Sequence, residues 1–334
     1  MLVDNVLEYA SKCYSFEVSN VTWINSGSNR VYKVLKNGQN LYLRISTRTF
    51  DYILAEIDWI NYLRDSVKTP ELVKSVNGKK IETYQGEEKT YILCLFYELP
   101  GVFWDKNNTS TWNDTVFYNW GKTMGKMHRL TKKYQPPGGV HTRPLFEHNF
   151  ISLEFYKDIP SVYDKMAQIQ KEIFSLPRDI DSYGLIHSDM HQQNLLINNN
   201  DITVLDFDDC QYGFFSLDIG IALYHAIWWG SPNDNFAKND FALKVIKNFL
   251  TGYSAENHLS DFWLKKIMMF MKYRQIAALS WHLNYYKPIN FDVIVYNDCF
   301  HIYYNFGEHI SYIENNIFFE ECKIDENAFI NTLK

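Results

Sequence analysis

One segment, residues 184–209, gathers the side chains best suited to chemistry. Asp189 and Asn194 stand five positions apart in its first half, and Asp206 follows two short apolar stretches in its second half. Buried carboxylates are costly without partners, so acidic residues beside apolar strands favour a site. Carboxylate and amide oxygens are ligands that suit Mg²⁺. Such a set could serve phosphoryl transfer, which needs held metal and phosphates and an oriented hydroxyl.

The spacing within this segment matches that of a kinase catalytic loop. Asp189 and Asn194 keep the offset between the catalytic Asp and the metal-binding Asn of such loops. Apolar stretches at 195–197 and 202–205, separated by an Asn-rich turn, predict a hairpin, after which Asp206 takes the place of the magnesium-binding Asp. The agreement of these features favours function over a purely structural explanation.

With these motifs the chain resembles the aminoglycoside phosphotransferase and choline kinase-like family, in which H-x-D-x-x-x-x-N precedes a hairpin, a D-F-D or D-x-D strand end and a further Asp. The positions that carry the resemblance are His187, Asp189, Asn194, Asp206, Asp208 and Asp218. The resemblance implies that Asp189 is the catalytic base and that Asn194 and Asp206 hold Mg²⁺ against ATP. It also implies that Asp218 braces the loop. His187 is expected to pack beneath the loop, and the roles of Asp208, Asp209 and His191 stay open.

The same resemblance places the nucleotide in the amino-terminal lobe. Arg44 occupies the family's Lys position, and Glu56 on the following helix is expected to be its ion-pair partner. A plain surface salt bridge is the alternative explanation of this pair. Ser28 and Asn29 would belong to the turn that covers the phosphates, although the turn lacks G-x-G-x-x-G.

A hinge strand around residues 95–98, which includes Phe96 and Glu98, would offer backbone groups to the purine. The patterns of the amino-terminal third support such a sheet lobe. RVYKV and LYLRI flank an Asn-Gly turn and predict a hairpin, LVKSVNGKKIETY predicts a second, and KTYILCLFYE predicts a strand. Between them, an apolar stripe predicts a helix, with members Ile53, Ile57, Ile60 and Leu63.

From Trp112 onward the pattern is mainly helical. In the stretch TVFYNWGKTMGKMHRLT, Gly121 and Gly125 would allow close packing, and three long helical stretches are expected between Phe236 and Ile313. The prediction is therefore an α+β, bilobal, protein-kinase-like fold with a small antiparallel-sheet lobe and a larger, mainly helical lobe. Residues 1–98 would bind the nucleotide, residues 99–334 would carry catalysis and the acceptor, and the hinge would lie near residues 95–101.

The composition excludes several other classes of protein. Hydrophobic residues make up 46% of the 334, which is too many for a disordered chain. A net charge of −6 does not favour a broad nucleic-acid or membrane-binding face. The start of the chain has no secretory pattern, and five widely spaced cysteines favour a reduced, cytoplasmic protein.

The function predicted is ATP- and Mg²⁺-dependent transfer of the γ-phosphoryl group to a hydroxyl of a small molecule, such as an aminoglycoside, an amino-alcohol or a homoserine-like acceptor. Three alternatives remain: a serine/threonine-directed protein kinase of the same family, a two-metal hydrolase, and a degenerate kinase fold that only binds. The acidic net charge, with Asp208 and Asp209, would suit a cationic acceptor. Aromatic residues between Trp228 and Tyr286 could line its pocket.

Overall fold

The computed structural model describes residues 2–26, 29–138, 143–157, 160–230, 235–286, 290–296, 299–306 and 309–315. The chain divides into two compact units. The first unit comprises Met1–Val102, Tyr134–Arg143 and Thr203–Asp208, and the second comprises Phe103–Lys133, Pro144–Ile202 and Asp209–Lys334.

The first unit is built on a five-stranded sheet with the order β1-β2-β3-β5-β4, in which every neighbouring pair is antiparallel. Its strands are β1 (Val21–Ser26), β2 (Arg30–Lys36), β3 (Gln39–Ser46), β4 (Glu82–Gln85) and β5 (Thr90–Tyr97), and its helices are α1 (Leu2–Tyr14) and α2 (Phe50–Leu63). The predicted β2–β3 hairpin is confirmed. Its turn residues Asn37 and Gly38 both have positive φ, as a two-residue hairpin turn of the right twist requires.

The core of the first unit lies between α1 and the sheet. Val6, Ala10 and Tyr14 of the helix pack on buried strand residues such as Leu43 and Leu93, and the hydroxyl of Tyr14 donates to the backbone oxygen of Leu93 at 3.0 Å. The predicted helix α2 is also confirmed. Thr49 caps its amino terminus by accepting from the backbone nitrogen of Tyr52, and all four residues of its apolar stripe are buried.

The second predicted Asn-Gly hairpin forms a turn without a hairpin. The backbone nitrogen of Ser75 donates to the oxygen of Lys79 across the turn at 2.8 Å, but no strand precedes it in this part of the first unit. Instead the segment before the turn pairs with the end of β5, because Val73 donates to Leu95 and Tyr97 donates to Glu71. The tertiary partner therefore decides this pairing rather than the local turn.

The second unit is mainly helical. Its helices are α3 (Asp114–Thr131), α4 (Pro160–Ser175), α5 (Phe215–Gly230), α6 (Asn235–Ser254) and α7 (Asp261–Tyr286). Gly121 and Gly125 of α3 do allow close packing, since a Cβ on Gly121 would lie 1.8 Å from the backbone oxygen of Phe249 in α6. None of the helices in the ranges that the structure covers is long and apolar enough to cross a membrane.

Short strands frame the chemistry-bearing segment. β6 (Tyr183–Ile186) pairs antiparallel with β9 (Gln211–Phe214), and β7 (Leu195–Asn198) pairs with β8 (Asp201–Val204) in the predicted hairpin. The turn residues Asn199 and Asn200 have φ of 51° and 66°, values that asparagine tolerates better than most residues.

The prediction of three long helices between Phe236 and Ile313 is wrong for the last of them. After α6 and α7 the chain forms an antiparallel sheet of β10 (Asn290–Tyr296), β11 (Cys299–Phe306) and β12 (His309–Asn315). This stretch is rich in Ile, Val, Tyr and Phe, which prefer strands. Its short apolar runs therefore indicate strand, and the helical interpretation overlooked this composition.

Candidate active site

The loop that carries Asp189 joins β6 to β7 and is fixed at its start by Asp218. The backbone nitrogens of His187 and Ser188 donate to the two carboxylate oxygens of Asp218 at 3.1 Å and 2.8 Å. Ser188 has φ of 68°, a conformation that non-glycine residues rarely adopt. Asp218 thus braces the loop in the conformation that presents Asp189. His187 is buried beneath it, as expected.

Asp218 belongs to a connected network of buried side chains. Its Oδ2 lies 3.0 Å from Nε2 of His128, whose Nδ1 lies 2.9 Å from the hydroxyl of Tyr253. Asn257 in turn donates to that hydroxyl at 2.7 Å. Burial lowers the pKa of His128, although the hydrogen bond to Asp218 opposes the shift. The imidazole is therefore neutral, donating to Asp218 through Nε2 and accepting from Tyr253 through Nδ1.

Asp189 and Asn194 are brought into direct contact. The amide nitrogen of Asn194 donates to the backbone oxygen of Asp189 at 2.9 Å and to its Oδ2 at 3.1 Å. Nε2 of His191 lies 3.3 Å from the same Oδ2. Because the amide nitrogen of Asn194 is used on Asp189, its amide oxygen is the atom that can meet a cation. The predicted metal-binding residue therefore has an oxygen atom of the kind that Mg²⁺ prefers as a ligand.

Arg274 of α7 is the partner of Asp189 that sequence reasoning missed. Its Nη2 donates to Oδ1 of Asp189 at 2.6 Å, and its Nε donates to Nε2 of His225 in α5 at 3.0 Å. Burial by itself would raise the pKa of Asp189, but the charge of Arg274 and the hydrogen bond from His191 bring it well below the usual range. Asp189 is therefore ionised at neutral pH. The only signal in the sequence is an arginine within the apolar stretch of a long helix.

Aromatic rings lie beside this carboxylate. The ring of His191 is 5.1 Å from that of His225 and 6.0 Å from that of Trp229, and Trp104 lies 6.5 Å from Trp229 with nearly parallel planes. The two tryptophans are half-buried, so part of each indole faces solvent. Burial, and next the charge of Arg274, lower the pKa of His225 well below its usual value. The neighbourhood of Asp189 thus combines one ion pair with neutral rings.

In the first unit, Arg44 and Glu56 form a two-pronged ion pair. Nη1 and Nη2 of Arg44 lie 2.7 Å and 3.0 Å from the two carboxylate oxygens of Glu56. The residues are only 8% and 1% exposed, so the alternative of a surface salt bridge is wrong. The guanidinium lies 5.4 Å from the ring centroid of Phe96. Burial raises the pKa of the neighbouring Cys94 thiol to about 11, so this residue is an uncharged thiol.

The strand predicted to meet a purine has already used part of its backbone. The oxygen of Leu95 accepts from Val73 at 2.8 Å, and the nitrogen of Tyr97 donates to Glu71 at 2.9 Å. The carboxylate of Glu98 is exposed and accepts from the side chain of Asn40 at 3.1 Å. These two backbone groups are therefore not available to a base. Of the predicted phosphate-covering residues, Asn29 is buried and Ser28 lies outside the described residues.

Asp206 lies in the first unit, directly after β8. It is exposed and has φ of 54°, an uncommon conformation that often marks functional positions. The next residue, Phe207, is buried edge-on against Trp59, with 5.5 Å between the ring centroids. The carbonyl of Asp208 accepts from the hydroxyl of Tyr52 at 3.2 Å and from the guanidinium of Arg143. The residues that follow Asp206 are therefore held on more than one side.

Arg143 and Tyr52 also contact each other. The Arg143 guanidinium lies 3.6 Å from the ring centroid of Tyr52 and donates to the Tyr52 backbone oxygen at 3.0 Å. Neither residue was singled out from the sequence, because each acts on Asp208 from a distant position in the chain. No group of three or more His, Cys, Asp or Glu side chains that could hold a metal ion occurs among the residues with described positions.

Comparison with known proteins agrees with these observations. The sequence model of the family described as "Phosphotransferase enzyme family" matches residues 21–251 of the chain. Amicoumacin kinase of Bacillus subtilis (strain 168) is 32% identical over 282 residues, which cover 82% of each chain. A solved structure of amicoumacin kinase hAmiN in complex with AMP-PNP, Ca²⁺ and Ami has a TM-score of 0.75 and 29% identity, and covers 83% of this chain and 85% of that one.

A microcompartment-associated aminopropanol kinase shares the fold, with a TM-score of 0.65 and 20% identity over 84% of this chain and 88% of the other. These likenesses confirm the family resemblance and the kinase-like fold class predicted from the sequence. They support a small-molecule kinase rather than a protein kinase, a hydrolase or a binding module. The chain belongs to the phosphotransferase enzyme family and is an ATP-dependent kinase that acts on a hydroxyl group.

Proposed function

We propose that this kinase transfers the γ-phosphoryl group of Mg²⁺-bound ATP to a hydroxyl of a small amino-alcohol or aminoglycoside-like molecule, and that Asp189 orients that hydroxyl. The observation that carries the proposal is the environment of Asp189. Its carboxylate is ionised, is fixed by Arg274 and Asn194, and contacts His191, whose ring lies 6.0 Å from that of the half-buried Trp229.

The lone pairs of Asp189 indicate where the acceptor would bind. A carboxylate offers about four lone-pair sites. Oδ2 faces both Asn194 and His191, whereas Oδ1 accepts from Arg274. Among the described residues this leaves one site on Oδ1 for an acceptor hydroxyl. Phosphoryl transfer depends more on such positioning than on a strong base, so a carboxylate with a low pKa suits the role.

The proposal assigns the metal to Asn194 and Asp206. Mg²⁺ would neutralise charge on the phosphates. The amide oxygen of Asn194 and the exposed carboxylate of Asp206 are hard donors, as this ion prefers. Asp206 would need little reorganisation to bind the metal, because the two residues after it are fixed. Phe207 packs on Trp59, and the carbonyl of Asp208 accepts from Tyr52.

The nucleotide is assigned to residues of the first unit. Arg44, kept in place by Glu56, would contact the phosphates with the guanidinium edge that Glu56 does not use. Ser28 and Asn29 would cover the phosphates, and Phe96 and Glu98 would border the base. The proposal keeps the predicted division of the chain. Residues 1–98 would bind the nucleotide, residues 99–334 would bind the acceptor, and the hinge would lie near residues 95–101.

The acceptor is proposed to bind along Trp104, Trp229 and His191. Half-buried rings next to a catalytic carboxylate can hold a flat or apolar part of an acceptor while its hydroxyl meets Asp189. The related kinases are named for amicoumacin and aminopropanol, and these compounds are the first to test.

We place the enzyme in the cytoplasm, where ATP is available. The buried residues Cys13 and Cys94 are thiols rather than members of a disulfide, which fits a reducing compartment.

The test is ATP consumption over amicoumacin, aminopropanol, spectinomycin, choline and homoserine, with the product identified by mass spectrometry. We expect one of these acceptors to gain a phosphoryl group and Asp189→Asn to lose at least ~10³-fold in kcat. Asp181→Asn, an exposed carboxylate paired with Lys132, is the matched control and should keep full activity. Wild-type enzyme that phosphorylates none of them, or an active Asp189→Asn variant, would contradict the proposal.

A further inference from the structure

We propose that Arg274 is a positioning residue for phosphoryl transfer, and that His225 acts on the reaction only by holding Arg274. The inference rests on the proposed role of Asp189. Two donors of one guanidinium are used: Nη2 on Oδ1 of Asp189 at 2.6 Å and Nε on Nε2 of His225 at 3.0 Å. Three elements are therefore tied together, namely the catalytic loop, α5 and α7.

The exposure of the pair distinguishes it from an ordinary surface salt bridge. The side chains of Asp189 and Arg274 are 20% and 28% exposed, and His225 is buried. A charge-assisted hydrogen bond of 2.6 Å in such surroundings is among the stronger kinds that proteins form. Surface ion pairs, by contrast, contribute little because water and salt screen them.

The hydrogen bond from Arg274 fixes the tautomer of His225. Arginine has only donors, so Nε2 of His225 must be an acceptor and its ring proton must lie on Nδ1. The His225 ring itself packs edge-on against Trp229 and lies beside His191. A neutral, packed ring thus anchors one side of Arg274 and leaves Nη2 aimed at Asp189.

This arrangement sets the plane of the Asp189 carboxylate. Oδ1 is held by Arg274 from α7, and Oδ2 is held by Asn194 from the loop itself. If Arg274 is lost, the carboxylate can rotate about its remaining contacts, and the free lone pair on Oδ1 no longer points at a fixed place. Misplacement by about 1 Å costs ~10²-fold in rate. The loss should appear in kcat, because the rings that hold the acceptor are unchanged.

Lysine cannot fully replace this arginine. An ammonium group is a point charge without the rigid fork, so it can meet Asp189 or His225 but not both in fixed geometry. Arg274→Lys should therefore retain more activity than Arg274→Gln and less than the wild type. His225→Phe keeps the ring and removes the acceptor nitrogen, and it should cause a smaller fall in kcat than Arg274→Ala.

The decisive experiment is chemical rescue of Arg274→Ala on the acceptor that the wild type uses. We expect kcat to fall by ~10²-fold with little change in either KM, and millimolar guanidinium or methylguanidinium to restore it saturably, whereas sodium and ammonium do not. Arg178→Ala, which removes an exposed arginine that pairs with Glu147 in the same unit, is the matched control and should show neither loss nor rescue. Asp189→Asn should not respond to guanidinium.

A double-mutant cycle separates the role of His225. Because His225 acts through Arg274, His225→Phe should cost nothing further in an Arg274→Ala background. Unchanged kcat in Arg274→Ala, loss without guanidinium rescue in a folded variant, or additive losses in the cycle would each overturn the inference. Should Arg274→Ala not fold, Arg274→Gln decides through its kcat. An inactive wild type or an active Asp189→Asn would instead refute the proposed function, so the two failures are distinguishable.

Discussion

A single atom of Asn194, its amide nitrogen, donates to both the backbone oxygen and the carboxylate of Asp189, at 2.9 Å and 3.1 Å. The residue proposed for the metal is thus also part of the support of the residue proposed for the acceptor. A change at Asn194 should therefore disturb both functions together.

We predict that Asn194→Ala lowers kcat, because its hydrogen bonds to Asp189 are lost. It should also raise the Mg²⁺ concentration for half-maximal activity at least ~10-fold, because the proposed oxygen ligand is lost. Asn194→Asp should lower kcat further, because it replaces the donor with a second negative charge next to Asp189. Rates across a Mg²⁺ titration measure both effects. Gln193→Ala, an exposed neighbour in the same loop, should behave as wild type, and an Asn194→Asp variant more active than Asn194→Ala would refute this account.

The buried pair of Arg44 and Glu56 should matter for stability as well as for nucleotide binding. Removing one member leaves the other as an uncompensated buried charge, which costs about 3–5 kcal/mol. We therefore expect Arg44→Ala to lower the free energy of unfolding by that amount in urea, and to weaken ATP binding measured by calorimetry at a temperature where the variant is folded. Glu98→Gln changes an exposed carboxylate of the same unit and should change the free energy of unfolding by less than about 1 kcal/mol.

Close packing of α3 on α6 gives a prediction about folding alone. A Cβ at Gly121 would lie 1.8 Å from the backbone oxygen of Phe249, and one backbone must then move away from the other. Gly121→Ala should lower the free energy of unfolding by about 1–3 kcal/mol or more. A Cβ at Gly138 meets no atom of the described residues within 4 Å, so Gly138→Ala serves as the control. Equal melting temperatures for the two variants would contradict the packing described for α3.

The segment after Asp206 should be sensitive to the residues that hold the carbonyl of Asp208. Tyr52→Phe removes one donor and Arg143→Lys removes the fork that contacts both Tyr52 and Asp208. Each lost hydrogen bond is worth about 1 kcal/mol, so we expect Mg²⁺-dependent ATP binding to weaken roughly five-fold. Calorimetric titration with ATP in the presence of Mg²⁺ measures this. Arg129→Lys, on the surface of α3, should leave the affinity unchanged.

Local patterns predicted the parts of the site that are close in sequence. The offset between Asp189 and Asn194, the β7–β8 hairpin and the position of Asp206 all lie within residues 184–209, where spacing and turn chemistry decide the structure. The Arg44 and Glu56 pair could also be predicted, because a strand and the following helix bring them together. Its burial could not be predicted, since that depends on the packing of the whole unit.

Local sequence patterns could not predict the contacts between segments that are distant in the chain. Arg274 meets Asp189 across 85 positions and Arg143 meets Asp208 across 65, and neither arginine stands in a motif. The same holds for residues 134–138 and 203–208, which belong to the first unit although they come later in the chain than most of it. The β10–β12 sheet was missed for another reason. The periodicity of short apolar runs does not separate helix from strand, and the composition that favours strand here was overlooked.

The network beneath the catalytic loop should make stability depend on pH. His128 is buried and neutral in the folded protein, with a pKa below its ordinary value, whereas in the unfolded chain it takes up a proton below about pH 6.5. Its contribution to stability is therefore fully present above pH 6.5 and is lost as the pH falls. The loss is at most about 1.4 kcal/mol per pH unit.

We predict that His128→Gln reduces this dependence. A glutamine can donate to Asp218 and accept from Tyr253, as the neutral imidazole does, but it does not titrate near neutral pH. Free energies of unfolding in urea at pH 7.5 and 5.5 should thus differ less for His128→Gln than for the wild type. His148→Gln replaces an exposed histidine and should leave the difference unchanged. If His128→Gln loses as much stability on acidification as the wild type, His128 is not the group that titrates.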